Sequence, residues 1–211
     1  MDFHKLLNLS EILEELSSVR PVFHSEADFQ FALASHLSKK FPDLEIRLEI
    51  PMTGGMILDL LLAVTGFSEK FAIELKYKTA AWDGNINGEP FKLKSHGADD
   101  IGCYDTLKDV ERIEYFISSG LATQGAVILL TNDPAYWKPR PPGAKITNAH
   151  QFRIHEDLVI SGERSWGPAT GGANRGRESS IQVAGQYVAK WEDYAQEVGD
   201  RGLFRSLIFQ V

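Results

Sequence analysis

From Phe3 to about Ser17, Leu6, Leu9, Leu13 and Leu16 recur at helical spacing, and Arg20-Pro21 ends the pattern. A second helix is predicted over residues 25–40. Ser25 is its N-cap, with Asp28 three positions on, and Phe29, Leu33 and Leu37 form its apolar stripe. Residues 44–50, 57–64 and 71–77 are short, apolar or alternating, and bounded by Gly, Pro or Ser, so they read as strands. Residues 66–69 read as the hairpin turn between the last two. Residues 82–98, rich in Gly and Asn, read as a loop that carries Lys92, Lys94 and His96. A long helix over residues 99–118 follows, with Ile101, Tyr104, Leu107, Val110, Ile113 and Phe116 on its apolar side, and residues 124–131 read as a buried strand. Beyond it, residues 152–155, 158–162, 181–190 and 204–211 read as short strands that extend the same sheet or add a β layer. The Gly-rich stretch over residues 171–180 reads as a loop.

The order helix, three strands, helix, strand predicts an α/β fold. The chain has 211 residues, 43% of them hydrophobic, enough for one domain with a real core and too apolar for disorder. Its longest apolar runs, residues 57–64 and 126–130, are too short to cross a bilayer, and Asp59 interrupts the first. No membrane partner is expected. The first residues lack a basic start and an apolar stretch, which predicts a cytoplasmic protein. Cys103 is the single cysteine, which excludes an intramolecular disulfide and a thiol-based zinc site. The six histidines show no paired-ligand spacing, so a metal would have to be held by oxygen.

A net charge of −7 argues against coating nucleic acid by bulk attraction. Distribution changes that picture. Between residues 138 and 177, Lys138, Arg140, Lys145, Arg153, Arg164, Arg175 and Arg177 face only Glu156, Asp157 and Glu163. One face can still attract phosphate.

Strand periodicity then assembles a candidate site, because residues two apart share a face. Glu74 and Lys76 lie on one side of their strand, and Asp59 interrupts the preceding apolar strand. A turn at residues 66–69 puts Asp59 opposite Lys76 with Glu74 diagonal to it; a register shift of two keeps all three on one face. Glu26 precedes Phe29 by three and Leu33 by seven, which turns it toward the sheet. Three acids and one lysine leave about two negative charges in apolar surroundings, a deficit that a hard divalent cation matches. Two plainer roles stand beside this one: an Asp59–Lys76 salt bridge with Glu74 at the solvent, and Glu26 offsetting a helix dipole.

Asp59, fourteen intervening residues and then Glu74-Leu75-Lys76, with Glu26 on a preceding helix, resembles the PD-(D/E)XK nuclease superfamily over about residues 22–131. The resemblance implies a restriction-endonuclease-like mixed sheet flanked by helices, an αβββαβ core, followed by a β-rich C-terminal extension over about residues 132–211. Leu58 stands where the motif has proline. By the same resemblance, Asp59, Glu74 and the Leu75 carbonyl hold Mg²⁺, or Mn²⁺ as its substitute, Lys76 positions or activates the attacking water, and Glu26 orients ligands or helps hold a second ion. The implied activity is phosphodiester hydrolysis on nucleic acid, DNA before RNA, with a homodimer left open. A catalytically inactive binding module and a metal-independent carboxylate hydrolase are the alternatives. Asp105, Lys108, Asp109 and Arg112 form a charged stripe on the long helix, read first as a solvated, salt-bridged face. Lys78, Lys108 and Arg112 are the substrate-binding candidates, with Lys92, Lys94 and His96 as further phosphate contacts.

Overall fold

The computed structural model describes residues 3–168 and 174–211, so the loop expected over residues 171–180 lies partly outside the described residues. The first expected helix is in fact two, α1 (Phe3–Leu6) and α2 (Leu9–Val19), because the Asn8 side chain accepts a hydrogen bond from Glu11 N at 3.3 Å and restarts the helix. Next comes α3 (Glu26–Lys40), where Ser25 accepts from Asp28 N as its N-cap. Three strands follow as expected: β1 (Leu44–Pro51), β2 (Ile57–Val64) and β3 (Lys70–Lys78).

The expected loop over residues 82–98 is largely a hairpin, β4 (Trp82–Ile86) and β5 (Glu89–Leu93). Its two turn residues, Asn87 and Gly88, both take positive φ, 53° and 90°, the backbone that a tight two-residue hairpin requires. Then come α4 (Asp99–Ser118) and β6 (Gln124–Thr131). In the C-terminal part β7 is Val159–Arg164 and β8 is Ile181–Val188. The run expected to continue to residue 190 breaks there, and a separate β9 (Trp191–Gln196) precedes β10 (Leu203–Gln210). Residues 152–155 form no strand. Phe152 instead ends a short 3-10 turn and is fully buried.

Six strands make one mixed sheet in the order β1–β2–β3–β6–β10–β9, with β3 and β6 parallel and all other neighbours antiparallel. Both expectations for the C-terminal part are realised. β10 and β9 extend the sheet beyond β6, while β7 and β8 form a separate two-stranded layer. One face of the sheet packs against α2, α3 and the β4–β5 hairpin through Leu13, Leu16, Phe29, Leu33, Trp82 and Phe91. The other face carries α4 and the β7–β8 layer, through Leu107, Val110, Ile113, Ile160 and Val183. Burying each such side chain is worth about 1.5–3 kcal/mol. Since Phe3 to Leu16 and Phe204 belong to the same buried cluster as Leu60 and Ile73, the ends of the chain are part of the core that supports β3. Among the described residues no helix is long and apolar enough to cross a membrane.

Candidate active site

The site grows out of the place where one strand ladder stops. β2 and β3 pair from Ala63 with Lys70 as far as Leu60 with Ile73, a register shifted by two from the expected one. Continued, this register would set Asp59 opposite Glu74. The ladder ends instead, and the β3 amides beyond it need other partners, since a buried unpaired N–H is costly. Two carboxylates supply them: Asp59 Oδ2 accepts from Leu75 N at 2.6 Å, and Glu26 Oε2 accepts from Tyr77 N at 2.8 Å.

A backbone twist accompanies the break. Ile46, Leu48, Leu60 and Leu62 pack on the α3 side, whereas Ile50 and Leu58 pack on the α4 side, so the alternation changes face at Glu49 and Asp59. Glu49, across the β1–β2 ladder at this point, has φ of 51°, a left-handed conformation that costs a non-glycine residue roughly 1–2 kcal/mol. Gln30 of α3 holds the seam by donating to Asp59 O at 2.9 Å.

Glu74 and Lys76 share the α4 side of β3, as the two-residue period requires, because Ala72, Val127 and Leu129 around them belong to the α4 cluster. There they meet two residues of α4 one helical turn apart. Lys76 Nζ lies 2.7 Å from Asp109 Oδ2, and Arg112 reaches Asp109 Oδ1 at 2.6 Å and Glu74 Oε1 at 3.0 Å. Glu74 and Asp109 are each only 1% exposed. The stripe expected to be a solvated face is therefore divided: Asp109 and Arg112 turn inward. Lys108 turns away to pair with Glu111, and Asp105 takes a bidentate ion pair from Arg177. Periodicity placed Asp109 beside the apolar stripe but gave no sign that it was buried.

Glu26 differs from expectation in its approach. It comes from α3, on the face opposite α4, and reaches the cluster only at the open edge of β3. Leu75 O, the carbonyl assigned to metal by resemblance, accepts from Lys76 Nζ at 3.0 Å. Lys78 ends β3 and lines a separate cavity with Glu26.

Four carboxylates, Glu26, Asp59, Glu74 and Asp109, stand against two cations, Lys76 and Arg112, so the cluster keeps two surplus negative charges. The consequence falls on Glu74. Burial first, and then the Asp109 charge, push its carboxyl up to about 9 although Arg112 opposes the shift. Burial also raises Asp59, against the pull of the Leu75 amide and Lys76. Lys76 is raised as well, with the opposite effect on charge: burial would lower it, but Asp109 and Glu26 outweigh burial and hold it charged.

As the side chains lie, among the described residues no group of three His, Cys, Asp or Glu is placed to hold a metal ion; Asp59, Glu26 and Glu74 each accept from a protein donor. The donor chemistry nonetheless fits a hard cation. Asp59, Glu74 and the Leu75 carbonyl offer only oxygen, and a carboxyl whose pKa is pushed up by burial and a neighbouring carboxylate marks a place short of positive charge. Compared with family models, curated proteins and solved structures, the chain matches none.

Proposed function

We propose that this chain is a metal-dependent nuclease with a restriction-endonuclease-like core, hydrolysing phosphodiester bonds of DNA or RNA. One observation carries the reading: Glu74 and Lys76 lie on the same inner face of β3, while Asp59, from the strand before, is bonded to the amide of the residue between them. Bound there by Asp59, Glu74 and the Leu75 carbonyl, Mg²⁺ or Mn²⁺ would polarise a phosphoryl oxygen and lower the pKa of its water.

The protein's own groups have distinct roles. Lys76, kept protonated by Asp109, cannot take a proton from water; it donates, orienting the nucleophile and stabilising charge that builds on the phosphoryl oxygens. Arg112 adds a second fixed positive charge beside Glu74. Asp109 positions both cations from within the core, and Glu26 ties α3 to the open edge of β3. Calorimetry with Mn²⁺ tests the metal assignment: the wild type binds, and Glu74→Ala does not. Equal binding by both proteins would remove Glu74 from the site.

One observation favours a second reading, a metal-independent acid/base hydrolase. Burial pushes the Glu74 carboxyl up to about 9, toward the protonated form a general acid needs, and Asp59 is a second carboxyl in the same cluster. EDTA separates the two readings, because it abolishes the metal-dependent reaction and leaves the other unchanged.

A further inference from the structure

Beside the reactive cluster, around the end of β3, lies a cavity of about 430 Å³ between the start of α3 and β5. His24, Glu26, Lys78, Lys92, Lys94 and His96 line it. Among the described residues none of the three lysines has a carboxylate partner within ion-pair distance, although most other basic side chains near the core do.

The far wall is held by hydrogen bonds. Thr79 N donates to His96 Nδ1 at 2.9 Å, His96 N donates to Thr79 O at 2.8 Å, and Thr79 Oγ1 donates to Lys94 O at 2.6 Å. With Nδ1 accepting, the His96 proton sits on Nε2 and is free to donate. Burial and the Lys78 charge both keep this ring neutral. His24 stacks on Phe91, with centroids 4.3 Å apart, and bonds Glu89 at 2.8 Å, which fixes the entrance. Among the described residues Glu26 is the only carboxylate in the lining, and its Oε2 is engaged by Tyr77 N.

We infer that this cavity binds a phosphate group of a nucleic-acid strand whose neighbouring phosphate lies at Lys76, with Lys78, Lys92 and Lys94 supplying charge and His96 Nε2–H a directed hydrogen bond. The inference rests on the nuclease reading for the identity of the strand. Its geometry follows from β3: Lys76 and Lys78 are two residues apart, about 6.5 Å along the strand, and Glu26 borders both places. This also explains how a protein of net charge −7 can hold a polyanion, since the attraction is confined to one lysine-lined cavity.

The test is fluorescence anisotropy in EDTA, where nothing is cleaved, with a labelled single-stranded oligodeoxynucleotide prepared with and without a terminal phosphate. The Lys92→Ala/Lys94→Ala double variant, whose substitutions are at exposed positions, is expected to bind at least about tenfold more weakly. Its dependence of log affinity on log salt should be shallower by roughly one to two. Lys39→Ala, at the other end of α3, should bind as the wild type does. A preference for the terminal phosphate that disappears in the double variant assigns the cavity to a terminal monoester; equal losses on both oligonucleotides assign it to an internal diester. Unchanged affinity and salt slope in the double variant overturn the inference. Because no metal is present, loss of binding in the double variant upholds the cavity even if no cleavage is ever observed. Wild-type cleavage with affinity untouched by the substitutions upholds the nuclease and removes the cavity.

Discussion

Asp109 is the buried residue that pairs with both half-buried cations. It holds Lys76 and Arg112 at 2.7 and 2.6 Å from inside the core, and removing its charge leaves Lys76 without that partner and Arg112 with Glu74 alone. Asp109→Asn is therefore expected to cost about 3 kcal/mol of stability, read by urea denaturation. Under folding conditions it should lower kcat more than it raises KM, because Lys76 is then mispositioned; a loss confined to stability would make Asp109 purely structural. Lys76→Ala is expected to abolish cleavage while leaving Mn²⁺ affinity nearly intact, since the ammonium group is not a ligand. Glu74 sets a pH dependence in the metal-free protein. Its pKa rises from the ordinary 4.5 to about 9, so the folded state binds the extra proton, and its contribution to stability, complete below the unfolded value, declines as pH rises through that window. Glu74→Gln should flatten this decline in thermal melts in EDTA; an unchanged slope would place the titration elsewhere. The Glu-Leu-Lys spacing made Glu74 and Lys76 legible in the sequence, because a strand's two-residue period needs no tertiary information. Asp109 was not legible, because charges three and four apart on a helix look alike whether they face water or a buried lysine.

Among the elements, the seam at Glu49 and Asp59 departs from regular strand geometry. Glycine normally weakens a strand interior by roughly 0.5–1 kcal/mol, but at Glu49 the backbone already occupies φ of 51°. Glu49→Gly is expected to be neutral or stabilising by up to about 1 kcal/mol, whereas Arg47→Gly, in the regular part of β1, should destabilise; equal losses in chemical denaturation would contradict the strain. The helices and first strands were readable from periodicity and from caps such as Ser25, which does accept from Asp28 N. The register was readable only in its parity. Turn position alone set Asp59 opposite Lys76, and the actual pairing, shifted by two, keeps the same faces up to Leu60 before the ladder ends. Two errors had local signals. Asn8 marks a helix start inside the first apolar stripe, and Asn87-Gly88 marks a hairpin within a segment whose glycines suggested a loop. The division between β8 and β9 at Ala189-Lys190 had no such signal, because the apolar positions continue across it into Trp191.

For the whole molecule, the sheet brings together residues from widely separated parts of the chain: Glu26 from α3, Asp59 from β2, Glu74 and Lys76 from β3, and Asp109 and Arg112 from α4. The parallel pairing of β3 with β6 fixes the strand that carries the lysine, and α4 crosses between them, which is why its inner face reaches Glu74. The alternation of elements predicted an α/β fold, and the family resemblance implied that its sheet is mixed, as it is. The C-terminal strands were expected to extend the sheet or add a layer, with nothing to say which would do which. That the first two helices share the core with β3 was not predicted, because those contacts join parts of the chain far apart in sequence. On the proposed reading, the surplus negative charge at the centre would take a cation and the lysines beside it a polyanion. The most direct measurement is incubation of plasmid, linear and single-stranded nucleic acids with the wild type and Lys76→Ala in Mn²⁺, each repeated in EDTA. Cleavage of at least one substrate by the wild type in Mn²⁺ alone, absent in the variant, is the expected result. No cleavage of any substrate, or cleavage that survives EDTA or loss of Lys76, would contradict a metal-dependent hydrolytic site.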